Sequence, residues 1–366
     1  MIRILHMIGS LELGGSQTMV MNLYRYIDKN NIQFDFILDH PDCLYYAEEI
    51  KQLGGRIYFL PGFKGTNILE LKAAWNSFFD EHSEYTILHS HVRSYASLYL
   101  PIAKKHGLCT IIHSHSTSNG SGLSACVKAI LQYPLRFQAD YFFGCSKEAG
   151  RWLFGDKVIN GDHYFMLQNA IDLKKYLPNE AVRIKYRREI NANGETKVFI
   201  HVGRLHEAKN HLFLLELFSN YQKKHNNALL VLVGDGDLRT IIEDKIDELG
   251  IKKNVRMLGA RNDVPNWLKA ADCFLFPSNW EGLPVTVVEA QAAGLPCLIS
   301  DNVTRDVNVS DLVKDLPIDK GTDLWVKAIE NLDFKRRNVF REIKKAGFDV
   351  QNTAKWISEF YMGLEK

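Results

Sequence analysis

Short apolar runs alternate along the chain with longer stretches in which apolar residues recur every three or four positions. Short runs of this kind are typical of buried strands, and the longer stretches are typical of helices. Such runs in the first half are IRILHMIG, FDFILDH, RIYFLPG, YTILHSH, CTIIHSHS, YFFGCS and YFMLQNA, and those in the second half are KVFIHVGRL, ALLVLVGDG, VRMLGA, CFLFPS and PCLIS. Their regular alternation with helices predicts an α/β fold with parallel sheets and helices on both faces.

The pattern restarts after a polar, punctuated stretch, LQNAIDLKKYLPNEAVRIKYRREINANGETK. A strand followed by a glycine begins directly after it, so a domain boundary is expected within residues 172–195. We predict an N-terminal domain over 1–178, a C-terminal domain over 179–345, and a final helix over 346–366 that packs back on the N-terminal domain. Two doubly wound domains leave a cleft between the carboxyl ends of their sheets, which is where such folds bind ligands.

Composition narrows the class of protein. The chain has 366 residues, 46% of them hydrophobic, which suits two domains better than one. Its formal charge of +2 argues against a general nucleic-acid binder, since such proteins usually carry a basic face.

The six cysteines are scattered singly, so we expect reduced core residues rather than disulfides or zinc ligands. No apolar run reaches the roughly 18 residues of a membrane span, and we expect a cytoplasmic protein, free or peripheral to a membrane.

Two glycine-bearing turns are candidates for anion binding. Gly14 and Gly15 follow the first predicted strand and precede a helix, where backbone N–H groups can approach an anion closely. In HVGRLHEAKN a strand ends at Gly203, and Arg204 and Lys209 precede the next helical stretch. Two cations in that position suit a diphosphate. The alternatives are a plain strand-to-helix turn in the first case and a solvated basic loop in the second.

The stretch EGLPVTVVE combines two carboxylates with a helix start. Gly282 permits a close approach, and Pro284 fits the first turn of a helix whose N–H groups would face an anion. Glu281 precedes that helix, whereas Glu289 lies more than one turn inside it, so the two can serve different parts of one long ligand. Carboxylates accept hydrogen bonds from hydroxyls such as those of a ribose. We predict a phosphate at the helix start with a hydroxyl-binding carboxylate on each side; the alternative is one helix-start acid and one surface glutamate.

Two H-S-H runs end successive predicted strands, at His89 and His91 and at His113 and His115. Residues two apart on a strand share a face. The preferred role for one of them is a general base or hydroxyl binder that faces the cleft. A metal site built from the four histidines and ordinary core packing are the alternatives.

The run GDGD contains a DxD sequence, Asp235-Gly236-Asp237, which can hold a metal for nucleotide-sugar transfer in a different fold. Here it lies between a predicted strand and a predicted helix. A turn with Asp237 near the helix N-cap is therefore the preferred interpretation.

These stretches together resemble glycosyltransferase family 4, the retaining GT-B enzymes, and especially those of bacterial capsule and exopolysaccharide assembly. The matching stretches are GGSQ, HVGRLHEAKN, LVGDGDLR, LGARNDVPNWLKAADCFLFPS and EGLPVTVVEAQAAGLPCLISD, in the expected order over almost the whole chain. FGCSKEAGRWLFG and IIHSHSTSN are similar to the polysaccharide branch. The resemblance implies two Rossmann-like domains facing a central cleft, with the acceptor in the first and a nucleotide-sugar donor in the second.

The resemblance also implies roles on the donor side. Arg204 and Lys209 match the diphosphate-binding pair, Glu281 the carboxylate near the donor sugar, and Glu289 the residue that holds the ribose diol. The resemblance implies further donor-side positions. Leu283 and Pro284 match the phosphate-facing helix start, and Arg261 lies in the loop that matches the base pocket. The glycines Gly203 and Gly282 belong to the adjoining turns.

In the first domain, Gly15 and Ser16 match the loop that faces the diphosphate. His115 aligns best with the acceptor-side histidine, His113 is its rival, and His91 lies on the same side. The resemblance thus assigns catalysis to His115 together with Glu281, Arg204 and Lys209.

The function implied is a retaining hexosyltransferase that uses a nucleotide sugar, UDP-hexose in our expectation, without a metal or other cofactor. The acceptor would be a glycan or a saccharide linked to a polyprenyl diphosphate. LSACVKAILQYPLRFQ, with Lys128 and Arg136 among apolar residues, either lies against an anionic membrane or is a core helix with a proline kink. Alternatives to a transferase are a nucleotide-sugar epimerase of similar fold and a protein that only binds the donor.

Overall fold

The computed structural model describes residues 1–12, 14–120 and 122–365, and the chain divides into two compact units. The first comprises Met1–Ile171 and Asp349–Lys366, and the second comprises Asp172–Phe348. Each unit contains one sheet with parallel pairing throughout the described strands. The predicted α/β architecture of two doubly wound domains is confirmed.

The sheet of the first unit has seven strands in the order β3-β2-β1-β4-β5-β6-β7. Its strands are β1 (Ile2–Gly9), β2 (Ile32–Leu38), β3 (Ile57–Phe59), β4 (Ile87–Ser90), β5 (Cys109–Ser114), β6 (Tyr141–Gly144) and β7 (Tyr164–Met166). The helices are α1 (Gly15–Tyr26), α2 (Ala47–Gln52), α3 (Ile68–Glu81), α4 (Ala96–Lys105), α5 (Leu123–Gln132), α6 (Leu135–Gln138), α7 (Lys147–Phe154) and α8 (Asp156–Ile159). Neighbouring residues Ile4 and Leu5 belong to different cores, because successive side chains of a strand point to opposite faces. Both faces of the sheet therefore pack against cores, and its central strands are mostly apolar without regular alternation.

The second unit has a six-stranded sheet in the order β10-β9-β8-β11-β12-β13. Its strands are β8 (Lys197–Val202), β9 (Ala228–Val233), β10 (Val255–Met257), β11 (Cys273–Phe276), β12 (Cys297–Ser300) and β13 (Val313–Leu316). The helices are α9 (Glu180–Glu189), α10 (His211–Gln222), α11 (Arg239–Glu248), α12 (Val264–Ala270), α13 (Val285–Ala292), α14 (Thr322–Glu330) and α15 (Phe340–Lys345). Short 3-10 helices cover Leu173–Tyr176, Glu207–Lys209, Lys252–Asn254 and Arg305–Val307.

The last helix, α16 (Val350–Leu364), returns to the first unit. Asp349 caps it and forms an isolated parallel bridge with Ile171. Ile357 and Tyr361 are fully buried in the same core as Phe34. The apolar spacing that predicted a packing helix thus corresponds to a stripe facing that core.

The contacts divide the chain at Ile171/Asp172 and Phe348/Asp349, whereas the sequence placed the divisions after 178 and 345. Residues 172–195, within which the boundary was expected, contain a 3-10 helix and α9, both part of the second unit. The reason is ionic: Asp272 binds Arg183 and Arg187 of α9 and holds that polar helix against the start of β11.

The burial of the cysteines agrees only in part with the expectation of core positions. All six lie among the described residues and none forms a disulfide; Cys145, Cys273 and Cys297 are buried, Cys43 and Cys109 are half-buried, and Cys126 is exposed on α5. The expectation of core positions is therefore wrong for Cys126.

Candidate active site

The order of the second sheet reverses at β8. From it the chain moves outward through β9 and β10, and then returns to place β11 on the other side. Ligands of open α/β sheets bind outside the carboxyl ends of the strands at such a switch point. The segments 203–210 and 277–284, which follow β8 and β11, carry the predicted donor residues to this edge.

Lys209 and Glu281 form an ion pair at this edge, with 2.6 Å between Nζ and Oε1. Their side chains are 17% and 11% exposed, and the ammonium lies 4.8 Å from the ring centre of Phe276. Gly203 makes room for the lysine, because a Cβ there would lie 3.0 Å from Lys209 Cε. The cation is thus fixed at the end of β8 by a carboxylate and an aromatic face.

Arg204 is held differently from Lys209. It pairs with Asp237 at 3.2 Å, and both side chains are largely exposed. Asp235 accepts a hydrogen bond from the N–H of Gly236 at 2.8 Å and pairs with Arg239 at 3.3 Å. Both carboxylates of the DxD run therefore engage arginines in a strand-to-helix turn. An exposed pair contributes about 0–1 kcal/mol, so a phosphate can displace Asp237 from Arg204 at little cost.

The helix of the EGLPVTVVE stretch begins at Val285, and Pro284 is its N-cap rather than a residue of its first turn. A Cβ built on Gly282 would meet nothing within 4 Å, which leaves the approach to the helix start open, with Leu283 partly buried beside it. Thr286 lies in the first turn, and its buried Oγ1 makes no hydrogen bond to a described residue. A hydroxyl and the helix N-terminus together suit a phosphate. The sequence predicted free N–H groups over Leu283–Thr286 but not the role of the Thr286 hydroxyl, although a hydroxyl residue after a glycine-containing loop was a usable signal.

Glu289 accepts a hydrogen bond from the hydroxyl of Tyr176 at 2.6 Å. Burial raises the pKa of Glu289, while the Tyr176 bond acts in the opposite direction. Burial and the adjacent Glu289 raise the pKa of Tyr176 well above its usual value, so the phenol stays protonated and donates. The sequence analysis missed Tyr176, because it lies 113 positions away from Glu289, in the polar stretch where the domain boundary was expected.

Arg261 makes two hydrogen bonds of 2.8 Å to Asp263, one residue before α12. The hydrogen bond with Asp263 raises the pKa of Arg261. The structure thus shows an orienting partner for this guanidinium, and its place near a nucleotide base stays a prediction.

The first sheet has its own switch point, between β1 and β4. Helix α1 begins at Gly15, directly after β1 and its connecting loop, and Gly14 is the N-cap. A Cβ on Gly15 would meet nothing within 4 Å, so the space beside the first residue of α1 is open, whereas a Cβ on Gly14 would meet the side chain of Gln17. Ser16 donates a hydrogen bond to Gln17 Oε1 at 2.9 Å.

The predicted histidines lie along one face near the same edge. His89 and His113 are in β4 and β5 and are 1% and 0% exposed, which identifies them as core residues. His91 and His115 follow the strand ends and are partly exposed. A fifth histidine, His6 of β1, lies opposite His89 in the register of the sheet. It was not predicted, although the run IRILHMIG places it on a neighbouring strand.

These rings contact one another through their nitrogens. His91 Nδ1 lies 2.9 Å from His115 Nε2, and His91 Nε2 lies 3.0 Å from His6 Nδ1. Burial lowers the pKa of all three, to about 3 for His6 and for His115. All three rings are therefore neutral at pH 7.

A cavity of about 430 Å³ opens at this edge of the first unit. Polar and charged residues dominate its lining, among them Asp39, His91, Arg93, Lys128 and Gln132. The last two belong to α5, so this helix forms one wall of the cavity.

Helix α5 and the short α6 after it expose apolar side chains. Leu123, Ile130 and Phe137 are 87%, 72% and 73% exposed, and Gln132 is the buried residue of α5. The alternative of a core helix is therefore wrong. Among the described residues, no helix has the length and apolar character needed to cross a bilayer.

Comparison with known proteins identifies the family. A family profile described as Glycosyltransferase Family 4 matches residues 13–175, and one described as Glycosyl transferases group 1 matches residues 182–332. EpsF of Bacillus subtilis (strain 168) is 31% identical over 374 residues, covering 100% of this chain and 97% of EpsF. The chain belongs to glycosyltransferase family 4.

Two further likenesses extend over the whole of this glycosyltransferase. The capsular polysaccharide biosynthesis glycosyltransferase CapH of Staphylococcus aureus is 23% identical over 384 residues, covering 99% of both chains. The structure of HepE from Anabaena, in complex with UDP and glucose, superimposes with a TM-score of 0.78 at 16% identity, covering 99% of this chain and 100% of HepE. That likeness confirms the predicted GT-B fold, and the relatives give no support to the epimerase alternative.

Proposed function

We propose that this glycosyltransferase is a retaining hexosyltransferase that transfers a sugar from a UDP-hexose to a saccharide of bacterial capsule or exopolysaccharide assembly. The observation that carries the proposal is the Lys209–Glu281 pair at the switch point of the second sheet. A fixed cation at the carboxyl ends of parallel strands suits the diphosphate of a nucleotide sugar. The UDP bound in HepE and the name of CapH support the donor and the pathway.

Bond cleavage between the sugar and the diphosphate leaves negative charge on the departing phosphate. Lys209, the start of α13 and Arg204 after its release from Asp237 would stabilise that charge, since preorganised charges and dipoles aimed at a developing anion lower the barrier. We therefore propose that transfer needs no divalent cation on the donor phosphates. Glu281 holds Lys209 in place and lies at the donor-sugar end of the site.

Retention of configuration follows from an attack on the face from which the diphosphate departs. Glu281 engages Lys209 and Glu289 engages Tyr176, and in this proposal both carboxylates bind and orient rather than form a covalent bond with the sugar. In this proposal Glu289 accepts hydrogen bonds from the ribose diol. NMR of the product would show the anomeric configuration of the new bond, and an inverted product would refute retention.

For the acceptor we propose a saccharide carried on a polyprenyl diphosphate, bound at the cytoplasmic face of a membrane. Helix α5 carries both features that this requires. It exposes Leu123 and Ile130, which suit contact with lipid, and it lines the cavity with Lys128 beside Arg93. A lipid-linked acceptor could then place its chain along α5 and its charged head in the cavity.

A thermal-shift panel with UDP-, GDP-, ADP- and TDP-sugars, each with EDTA or Mg²⁺, tests the donor. A ligand of the native state raises apparent stability by mass action. We expect a shift with the UDP-sugar that is unchanged by EDTA and lost in Glu289→Ala. Glu359→Ala on the exposed face of α16 is the matched control and should keep the shift. A shift that requires metal would refute the metal-free donor site, and no shift with any sugar nucleotide would refute the donor site.

Sedimentation with vesicles of anionic phospholipid tests the membrane contact. Ile130→Asp and Phe137→Asp should reduce the bound fraction by about tenfold, since each removes a large exposed apolar side chain and adds a negative charge. Leu69→Asp is the control, because Leu69 is 84% exposed on α3. Equal binding of all three variants and the unmodified protein would refute the contact.

A further inference from the structure

Three histidines of the first unit form a continuous chain, His6–His91–His115. Nδ1 of His6 faces Nε2 of His91 at 3.0 Å, and Nδ1 of His91 faces Nε2 of His115 at 2.9 Å. Both ring nitrogens of His91, the middle residue, therefore take part in these contacts. The outer nitrogens, His6 Nε2 and His115 Nδ1, are buried and make no hydrogen bond to a described residue.

The spacing of the nitrogens distinguishes hydrogen bonds from metal coordination. Two sets of three histidines that share His91 have ligand atoms within 4.8 Å of one another. A tetrahedral ion with bonds of about 2.0–2.1 Å holds two imidazole nitrogens about 3.3 Å apart. The observed 2.9 and 3.0 Å are instead N–H···N hydrogen-bond distances, and each such bond needs one proton between its two rings.

Proton counting leaves only two states for this chain. Burial lowers the pKa of each ring far enough to keep it neutral, so each carries one proton. If His6 is protonated at Nδ1, His91 must also carry its proton at Nδ1, and so must His115. If His6 is protonated at Nε2, all three are protonated at Nε2. The position of the proton on His6 therefore determines, through His91, which nitrogen of His115 carries its proton.

The apolar surroundings of His6, at one end of the row of three histidines, decide between these two states. The ring of His6 lies 4.2 Å from the ring of Phe34 and 5.7 Å from that of Phe36, centre to centre. A buried N–H without an acceptor is rarer in proteins than an acceptor without a donor. His115 Nδ1 is equally without a partner, but His6 is 1% exposed whereas His115 follows the end of β5 and is partly exposed, so a substrate oxygen can supply an acceptor only at His115. His6 Nε2 is thus better left as a lone pair, with the proton on Nδ1.

We propose that His6 and His91 are positioning residues that fix His115 as an Nδ1–H donor. The inference rests on the proposed function, in which His115 is the acceptor-side histidine. His115 would then donate a hydrogen bond from Nδ1 to a substrate oxygen, a hydroxyl or a phosphate. It would not serve as the general base, because the nitrogen that meets the substrate already carries the proton.

NMR near pH 7 tests this hydrogen-bonded row of histidines. The sample is the intact protein labelled with ¹⁵N-histidine, without a polyhistidine tag or substrate. The ring signals of His6, His91 and His115 are assigned by single His→Asn variants. We expect the Nδ1–H tautomer for all three. His201, whose Nδ1 faces the carbonyl of Leu275 at 2.9 Å, is the internal reference for that tautomer. The Nε2–H tautomer or a charged ring at His115, or a bound transition metal by elemental analysis, would overturn the proposal.

A pair of variants tests the consequence for catalysis. The amide nitrogen of His115→Asn lies close to the former Nδ1, whereas that of His115→Gln lies close to the former Nε2. The structure predicts that Asn retains a kcat at least about tenfold higher than Gln, the effect of one well-placed hydrogen bond, with similar KM for the donor. Equal loss in both, or the reverse order, would overturn the donor role. If the unmodified protein transferred no sugar, the proposed function would fail while the tautomer result would stand.

Discussion

Removal of the Tyr176 hydroxyl tests the donor site through a residue that the sequence did not reveal. Tyr176→Phe deletes the 2.6 Å hydrogen bond to Glu289 and leaves the ring in place. A hydrogen bond to a charged group contributes about 1.5–3 kcal/mol, so the variant should unfold several degrees lower. In the proposed site the freed carboxylate also loses its orientation towards the ribose. If that loss costs about 1.4 kcal/mol, the order of one neutral hydrogen bond, the Kd for UDP-hexose rises about tenfold.

The pH dependence gives a second readout of the same bond. Burial raises the pKa of Glu289 and the Tyr176 bond opposes that rise. Without the hydroxyl the pKa of Glu289 should be higher still. In the proposed site the ionised carboxylate binds the ribose diol, so donor binding should weaken as the pH falls through this pKa. In Tyr176→Phe the weakening should begin at a higher pH than in the unmodified protein.

Isothermal titration with UDP-hexose at several pH values, together with thermal unfolding, measures both effects. Tyr85→Phe is the matched control, because its buried hydroxyl donates to Asp35 at 2.7 Å in the first unit. The control should lose stability and keep its donor affinity. If Tyr176→Phe bound UDP-hexose as tightly as the unmodified protein at every pH, Glu289 would not be the ribose-binding carboxylate.

Two further changes address the charges of the second unit. Glu281→Gln leaves the ammonium of Lys209 without its carboxylate at a site of low exposure. The kcat should therefore fall at least about tenfold, while UDP binding stays measurable by titration. An unchanged kcat would contradict the role of the pair. Asp272→Asn should destabilise the unit by about 3–5 kcal/mol in urea unfolding, because Arg183 and Arg187 lose their buried partner. Burial tends to raise the pKa of Asp272, but its hydrogen bonds and the two arginines lower it overall. Its stabilisation is therefore present above the ordinary carboxyl pKa and should disappear as the pH falls through the lower folded pKa, a pH dependence that the variant should lack.

The sequence predicted the strands well where both faces of a sheet are buried. Twelve apolar runs correspond to β1 through β12, because most of these strands are buried on both faces and carry few polar residues, and the edge strands β3, β7 and β10 are still largely apolar. The thirteenth strand, VKDL at Val313–Leu316, lies at the edge of its sheet. Edge strands tolerate charge, and this one carries Lys314 and Asp315 between apolar ends. Its periodicity was too weak to predict a strand.

The candidate site was predictable to the extent that its residues occur in local patterns. Lys209, Glu281 and Glu289 were named from motifs, and the structure adds their partners. Tyr176 and His6 were missed because each contributes through a neighbour distant in sequence: Tyr176 through Glu289, and His6 through the pairing of β1 with β4. Pairing of that kind is a property of the strand order, which no local pattern contains.

The spacing of the two carboxylates in EGLPVTVVE follows from the partners that the structure gives them. Glu281 lies before α13 and reaches Lys209, which follows β8, the neighbour of β11 in the sheet. Glu289 is the fifth residue of α13, about 6 Å along the helix axis from its start, and it reaches Tyr176 in the 3-10 helix that precedes α9. One carboxylate therefore orients a cation at the mouth of the helix, and the other is oriented by a phenol deeper along it. A ligand contacting both must carry its anionic group at the helix start and its hydroxyls about one turn further on, which is the separation of phosphate and ribose in a nucleotide. A helix start with both acids in its first turn would place two negative charges against the phosphate, and it would have no carboxylate one turn further on to accept hydrogen bonds from the ribose hydroxyls.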